Sequence, residues 1–165
     1  MYEVGQYIVH PGQGVCKVEE IVSDPVQVYM LMPVGGRHPM RISFPMASEG
    51  RLRPVLSRSE ARQLIGEYDE MALEDFSCNS SALEEEHYKN EMRRGTCRDS
   101  VRIAKTFRKR IDDVRACNKK PPVVYERILK QARERSLAEL AVALDVTPDD
   151  VSVMLRREMG EAEEN

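Results

Sequence analysis

Tryptophan is absent from the chain, and with 3 Phe and 6 Tyr any core must be built mainly from aliphatic side chains. The four cysteines, Cys16, Cys78, Cys97 and Cys117, form no Cys-x-x-Cys pair. That argues against a zinc ribbon and against a disulfide scaffold, and leaves reduced, buried thiols as the expectation. His10, His38 and His87 stand far apart and make no ligand cluster. No apolar run approaches the ~20 residues of a membrane helix. The residues after Met1 lack the basic-then-apolar layout of a secretory signal, so a cytoplasmic location is expected. Also missing are a nucleophile elbow, a phosphate-cradling glycine loop before a helix, and a His–carboxylate pair at useful spacing. An enzyme therefore has no support, and neither a cofactor nor a metal is expected.

What the chain has is polarised charge. Residues 87–135 hold 16 Lys or Arg against 6 Asp or Glu, a balance of +10 inside a 165-residue chain whose net charge is −3. Residues 1–76 carry −4, residues 77–86 carry −3 and residues 136–165 carry −6. A compact positive segment in an otherwise acidic chain is the electrostatic footprint of a polyanion-binding surface. The competing reading is a set of solvated, Arg-rich helix faces.

Residues 1–56 read as β. Short strands are expected over residues 6–10, 15–22, 26–34, 40–44 and 51–55. They are separated by Pro11-Gly12-Gln13-Gly14, by Ser23-Asp24-Pro25 and by Gly35-Gly36, which suits a tight hairpin turn. Five such strands are too short for a large open sheet and suggest a small curled SH3- or Tudor-like barrel. Its edges can pair with another chain. The strand with Arg41, Ile42, Ser43 and Phe44 is the partner-facing candidate, with Ile42 and Phe44 on one face and Arg41 and Ser43 on the other.

The rest reads as helical, giving an α+β chain. Ser57-Arg58-Ser59-Glu60 fits a capping box, followed by the stripe Ala61, Leu64, Ile65 and Tyr68. An acidic stretch with poor helix formers around Ser77–Ser81 reads as a linker, so residues 57–83 connect the barrel to a helical domain over residues 84–165. Helices are expected over 84–94, 99–116, 123–144 and from Thr147, with Thr147 as N-cap and Pro148 at the first helical position. Residues 158–165 are expected to fray. Lys89, Arg93 and Arg94 fall on the first of these helices. Arg102, Lys105 and Lys109 fall at i, i+3, i+7 on the second. Lys119 and Lys120 sit in a loop beside two prolines. As a DNA-binding set these eight groups should hold phosphates, with steep salt dependence and little base specificity. Tyr88, among them, suits the core better than a stacking platform.

The opening Val4-Gly5-Gln6-Tyr7-Ile8-Val9-His10-Pro11-Gly12-Gln13-Gly14-Val15 resembles the corresponding stretch of CarD/CdnL-type bacterial transcription regulators. Ile42-Ser43-Phe44-Pro45 and Arg51-Leu52-Arg53-Pro54-Val55 resemble later strands of that family. Tyr88-Lys89, Leu129-Lys130-Gln131-Ala132-Arg133 and Ala138-Glu139-Leu140-Ala141 are similar to its helical half. The resemblance implies a Tudor-like domain that adds its sheet edge to the β subunit of RNA polymerase. It also implies a helical domain at promoter DNA near the upstream edge of the bubble, modulating open-complex stability without catalysis. Two departures stand out. The family places a Trp wedge four residues before the Tyr-Lys pair, where this chain has Glu84, and a carboxylate there would repel phosphates. The family's polymerase-contacting Arg falls on Ser43, leaving Arg41 on the same face as its substitute.

Two other readings stay open. Residues 137–157 resemble a helix-turn-helix, which would make the chain a sequence-reading repressor. Against that, Asp149 and Asp150 would stand at the groove-facing end of the recognition helix, where carboxylates suit the helix macrodipole better than phosphates. A scaffold that binds polymerase without DNA is the third reading, with Glu84 as its motive. Nothing in the chain requires a dimer, so a monomer is expected.

Overall fold

The computed structural model describes residues 1–36 and 38–160. Its front half is an antiparallel sheet of β1 (Tyr7–His10), β2 (Gly14–Val22), β3 (Val28–Pro33), β4 (Ile42–Pro45) and β5 (Arg53–Pro54). A 3-10 turn, Met46–Arg51, bridges the last two strands. The strand order is β4-β3-β2-β1-β5, so the sheet is not closed among the described residues, and of the expected curled barrel the structure shows a five-stranded antiparallel sheet with two edges. The reason lies in β5. It is two residues long, and one of them is Pro54, which has no amide to offer a further strand. β4 and β5 are therefore the two edges. A register shift between Val18 and Glu20 marks a bulge in β2, a device that bends and twists a strand.

Alternation decides what the sheet buries. Ile8, Cys16, Val18, Tyr29, Leu31, Phe44 and Leu52 form one aliphatic-rich core. The β3–β4 connection is wider than a two-residue hairpin: the ladder closes at Leu31 and Ile42. Gly35 and Gly36 nevertheless carry φ of +87° and +82°, the left-handed backbone for which glycine is suited.

The back half comprises α1 (Arg58–Gly66), α2 (Ser81–Arg94), α3 (Cys97–Ala116), α4 (Val123–Leu144) and α5 (Pro148–Glu158). The capping boxes at Ser57 and Thr147 form as their sequence pattern requires, and Thr96 with Asp99 adds a third. α2 begins three residues ahead of residue 84, because the Ser80 side chain accepts from the Leu83 amide and caps it. Gly95 separates α2 from α3. A Cβ there would stand 2.5 Å from Asp99 Oδ2 and 2.6 Å from the Glu91 carbonyl, so only glycine allows the close turn. Residues 161–165, part of the tail expected to fray, lie outside the described residues.

The helices carry two cores. One joins Ala61, Leu64 and Ile65 of α1 to Val101, Leu140, Ala141, Leu144 and Val151. The other gathers Tyr88, Met92, Ile103, Phe107, Val124, Ile128 and Ala132 around α2, α3 and α4. Sheet and helices meet through polar contacts. Glu139 of α4 accepts from both terminal nitrogens of Arg53 at 2.7 Å and from the Leu56 amide at 3.1 Å. Arg135 donates to the His10 carbonyl at 3.3 Å.

Candidate nucleic-acid interface

The structure divides the eight candidate cations into two groups. Arg93 and Arg94 end α2 exposed, and Lys119 and Lys120 are exposed in the α3–α4 loop. None of the four has an ion pair among the described residues. On α2, Arg93 and Arg94 also face the negative end of the helix macrodipole. The other four are engaged. Lys89 pairs with Glu85 at 3.1 Å, one helical turn away. Glu85 also accepts from Arg127 Nε at 2.8 Å. Arg127, and after it Lys89, hold that carboxyl below the usual range against the opposing effect of burial. Arg102 lies 3.8 Å from both Glu74 and Asp99. Lys109 pairs with Asp113 at 2.7 Å.

Lys105 is a structural group. Its ammonium donates to the carbonyls of Tyr68, Asp69 and Met71 at 2.7, 2.9 and 2.8 Å, and lies over the Tyr68 ring. Those three oxygens belong to the turn that follows α1, where the Tyr68 carbonyl also accepts from the Met71 amide at 3.3 Å. Burial lowers the Lys105 pKa, with Asp69 opposing. The expectation that Arg102, Lys105 and Lys109 share a free outer face is thereby corrected: tertiary contacts from residues 68–74 use two of them.

Glu84 is the second correction. It does not face solvent, where it would meet phosphates. It is 2% exposed. Its Oε2 accepts from the Cys78 amide at 2.9 Å, and its Oε1 lies 3.9 Å from Arg110, an ion pair without a hydrogen bond. Arg110 donates to the Phe76 carbonyl at 2.8 Å and packs over the Phe107 ring, 4.8 Å from its centroid. Tyr88, fully buried, donates its hydroxyl to the same Phe76 carbonyl at 2.6 Å. Together with Thr106, which accepts from the Glu74 amide, these groups pin the extended residues 72–79 onto α2 and α3. Leu83 and Phe76 place exposed apolar surface near Glu84, Phe76 stacked on His87 at 3.8 Å, and of the three adjacent carboxylates it is Glu86 that is exposed.

Sequence reasoning missed a groove that the fold builds between sheet and helices. It measures about 1090 Å³ and runs from Gly12 to Val15 and Pro33 to Gly36 on the sheet to α2 and α4 on the helical side. Lys89 and Arg93 from α2 meet Lys130, Arg133 and Arg135 from α4 there, with Arg115 nearby. Glu126, Glu134 and Asp149 lie in the same wall. Arg115 is paired to Glu126 at 3.2 Å. The one sequence hint was charge: all six cations belong to the basic segment, but nothing in one dimension aligned Lys130, Arg133 and Arg135 with Lys89 and Arg93. The sheet's contribution is a loop stiffened by His10, whose Nδ1 accepts from the Gly12 and Gln13 amides, both at 3.0 Å. Burial first, then Arg51 and Arg135, lower the His10 pKa, so the neutral ring is favoured.

At the other end, β4 pairs among the described residues with β3 alone and forms an edge of the sheet. Ser43 is exposed and Ile42 half-buried, while Phe44 points into the core, edge-on to the His10 ring at 5.3 Å. The outer backbone edge of β4 is therefore left without a neighbouring strand among the described residues, and Phe44 supports it from behind. Arg41, just before the strand, pairs with Glu19 at 2.8 Å and Glu20 at 3.6 Å. For the helix-turn-helix reading, Asp150 is spent in the Thr147 cap, and Asp149 stands beside it at the start of α5.

Among the described residues no His, Cys, Asp and Glu group is arranged to hold a metal. No described helix is long and apolar enough to cross a membrane. Compared with known families, residues 2–56 match the model of the CarD-like/TRCF RID domain. The match takes in the whole sheet and stops before α1. No curated protein matches the chain.

Proposed function

We propose, from the match of residues 2–56 to the CarD-like/TRCF RID domain, that the chain is a non-enzymatic transcription regulator that docks on RNA polymerase and touches upstream promoter DNA. The observation that carries the docking half is the open edge of β4 within the matched domain. An exposed edge of this kind accepts a partner strand through main-chain hydrogen bonds, and the polymerase β subunit is the partner assigned to it. Ile42 and Ser43 flank the edge, and Arg41 must trade Glu19 for a partner carboxylate to contribute.

DNA contact rests on charge left uncompensated by the fold. Arg93, Arg94, Lys119 and Lys120 pair with no carboxylate among the described residues, and Lys130 and Arg133 extend the positive surface into the groove. Phosphate contacts from such groups give affinity without base reading. With Glu84 turned inward, the carboxylate no longer opposes DNA at that position. The scaffold reading thereby loses its motive.

The test is the lifetime of a promoter open complex on purified bacterial polymerase, with the wild-type chain and with Lys89→Glu/Arg93→Glu/Arg94→Glu. The wild type should change the lifetime, and the triple reversal should remove the effect while polymerase docking persists. Equal DNA association by both proteins would refute the assignment of that face. Arg41→Glu should weaken docking alone; an unchanged affinity for the β subunit would move the interface away from β4.

A further inference from the structure

A second cleft opens where the two helical cores fail to meet. Val101, Leu137 and Leu155 belong to the core around α1, α4 and α5, and Ala104 and Leu129 to the one around α2, α3 and α4. Between them lies a space of about 330 Å³, lined by all five and open past Leu73 and Met159, both partly exposed. That volume falls at the small end of the roughly 300–1,000 Å³ typical of small-molecule sites. Its rim carries Lys105, Arg108, Lys109, Arg133 and Arg156 against a single lining carboxylate, Asp112. The chain as a whole is at −3, so this is a locally inverted charge.

The rim cations differ in availability. Lys105 is tied to three carbonyls and Lys109 to Asp113. Arg133 donates to the Ser152 hydroxyl at 3.1 Å and Arg156 to the Ser152 carbonyl at 3.4 Å, both neutral acceptors, and neither has an ion pair among the described residues. Arg108 is exposed and has no ion pair among the described residues. An apolar floor beneath guanidinium groups that lack carboxylates is complementary to one class of molecule: an apolar body with an anionic head.

We propose that this cleft, between α3, α4 and α5, binds a small anionic amphiphile, with its apolar body on Val101, Ala104 and Leu137 and its head among Arg108, Arg133 and Arg156. Guanidinium groups suit a carboxylate, sulfonate or phosphate head because they offer paired donors in one plane. The site lies apart from β4, and its occupation does not depend on the docking assigned to that edge.

The experiment uses the full chain and the fluorescent sulfonate 1-anilinonaphthalene-8-sulfonate, with decanoate and decyltrimethylammonium as competitors. One probe should bind per folded chain, and decanoate should displace it where the cationic decyl compound does not. Arg108→Glu/Arg156→Glu, which alters no core residue, should weaken both anions about tenfold, as expected for two reversed surface charges. Ala104→Phe should fill the floor and abolish binding; if that variant does not fold, the charge reversal decides. Absence of saturable binding, equal displacement by both competitors, or full affinity in the charge-reversed variant would overturn the proposal. So would a dimer in sedimentation that Ala104→Phe dissociates, since the cleft would then be a self-association face. An acidic amphipathic peptide that displaces the probe while decanoate does not would equally overturn it.

Discussion

Removing Glu139 tests the joint on which the two halves of the molecule depend. The carboxylate is 2% exposed and is held by both Arg53 nitrogens and by the Leu56 amide. Breaking a buried pair by deleting one partner typically costs about 3–5 kcal/mol, because the remaining charge is stranded. Arg53 keeps 29% of its side chain accessible, so its orphaned guanidinium reaches water and the penalty shrinks. We therefore expect Glu139→Ala to cost about 2–4 kcal/mol. At this size that corresponds to a fall in Tm of roughly 5–15 °C. Arg53→Met/Glu139→Leu should recover most of it, since apolar replacement of both partners removes the stranded charge. Urea unfolding of the two single variants and the double, read as a double-mutant cycle, gives the coupling. Hydrogen exchange at the Leu56 amide should accelerate in Glu139→Ala. A cost under about 1 kcal/mol, or strict additivity of Arg53→Met and Glu139→Leu, would refute the claim that this pair fastens sheet to helices.

Four further outcomes follow from individual side chains. Lys105→Met should destabilise by about 1–2 kcal/mol, by removing the ammonium donor from the Asp69 and Met71 carbonyls and leaving the Tyr68 carbonyl to the Met71 amide, and should leave DNA affinity intact. Lys119→Glu/Lys120→Glu should do the reverse and flatten the salt dependence of binding; unfolding curves beside a DNA titration separate the two. His10 is neutral-favouring in the fold, with a pKa below its ordinary 6.5. Between the folded and unfolded values the unfolded chain binds more protons, so this contribution is whole above about pH 6.5 and is lost as pH falls. Thermal midpoints taken down to pH 5 should show it, and His10→Asn should flatten the slope. Cys117 is exposed, whereas burial pushes the Cys16 thiol up to about 11 and raises Cys97 further still. Alkylation under native conditions should mark Cys117 first and leave Cys16 and Cys97 until unfolding.

Much of the local structure was legible in one dimension. Ser57, Thr147 and Pro148 announced two helix starts because caps are local: a hydroxyl three residues from an amide needs no tertiary help. The five strands could be read from short apolar runs between turn residues, and Tyr88 went to the core as its neighbours suggested. Glu84 was illegible. It lies in Glu84-Glu85-Glu86, and three adjacent carboxylates look alike until the helix phase and the Cys78 amide six residues upstream select one for burial. Arg102 and Lys109 shared a helical spacing with Lys105, but the spacing did not reveal which residues from 68–74 would lie across them.

Composition and order by themselves determined the α+β plan, the aliphatic cores, the polarised charge and the likeness of the front segment to a polymerase-binding domain. Those properties are sums over neighbours in the chain, or patterns with the period of a helix or strand. Only the tertiary structure decided whether the sheet closed, which cations were left without carboxylates, and that Arg93 would share a groove with Lys130 and Arg133. It alone brought Arg53 to Glu139 across 86 positions. The physical reason is that a charge is worth little or much according to what stands within a few ångströms of it, and sequence distance does not measure that.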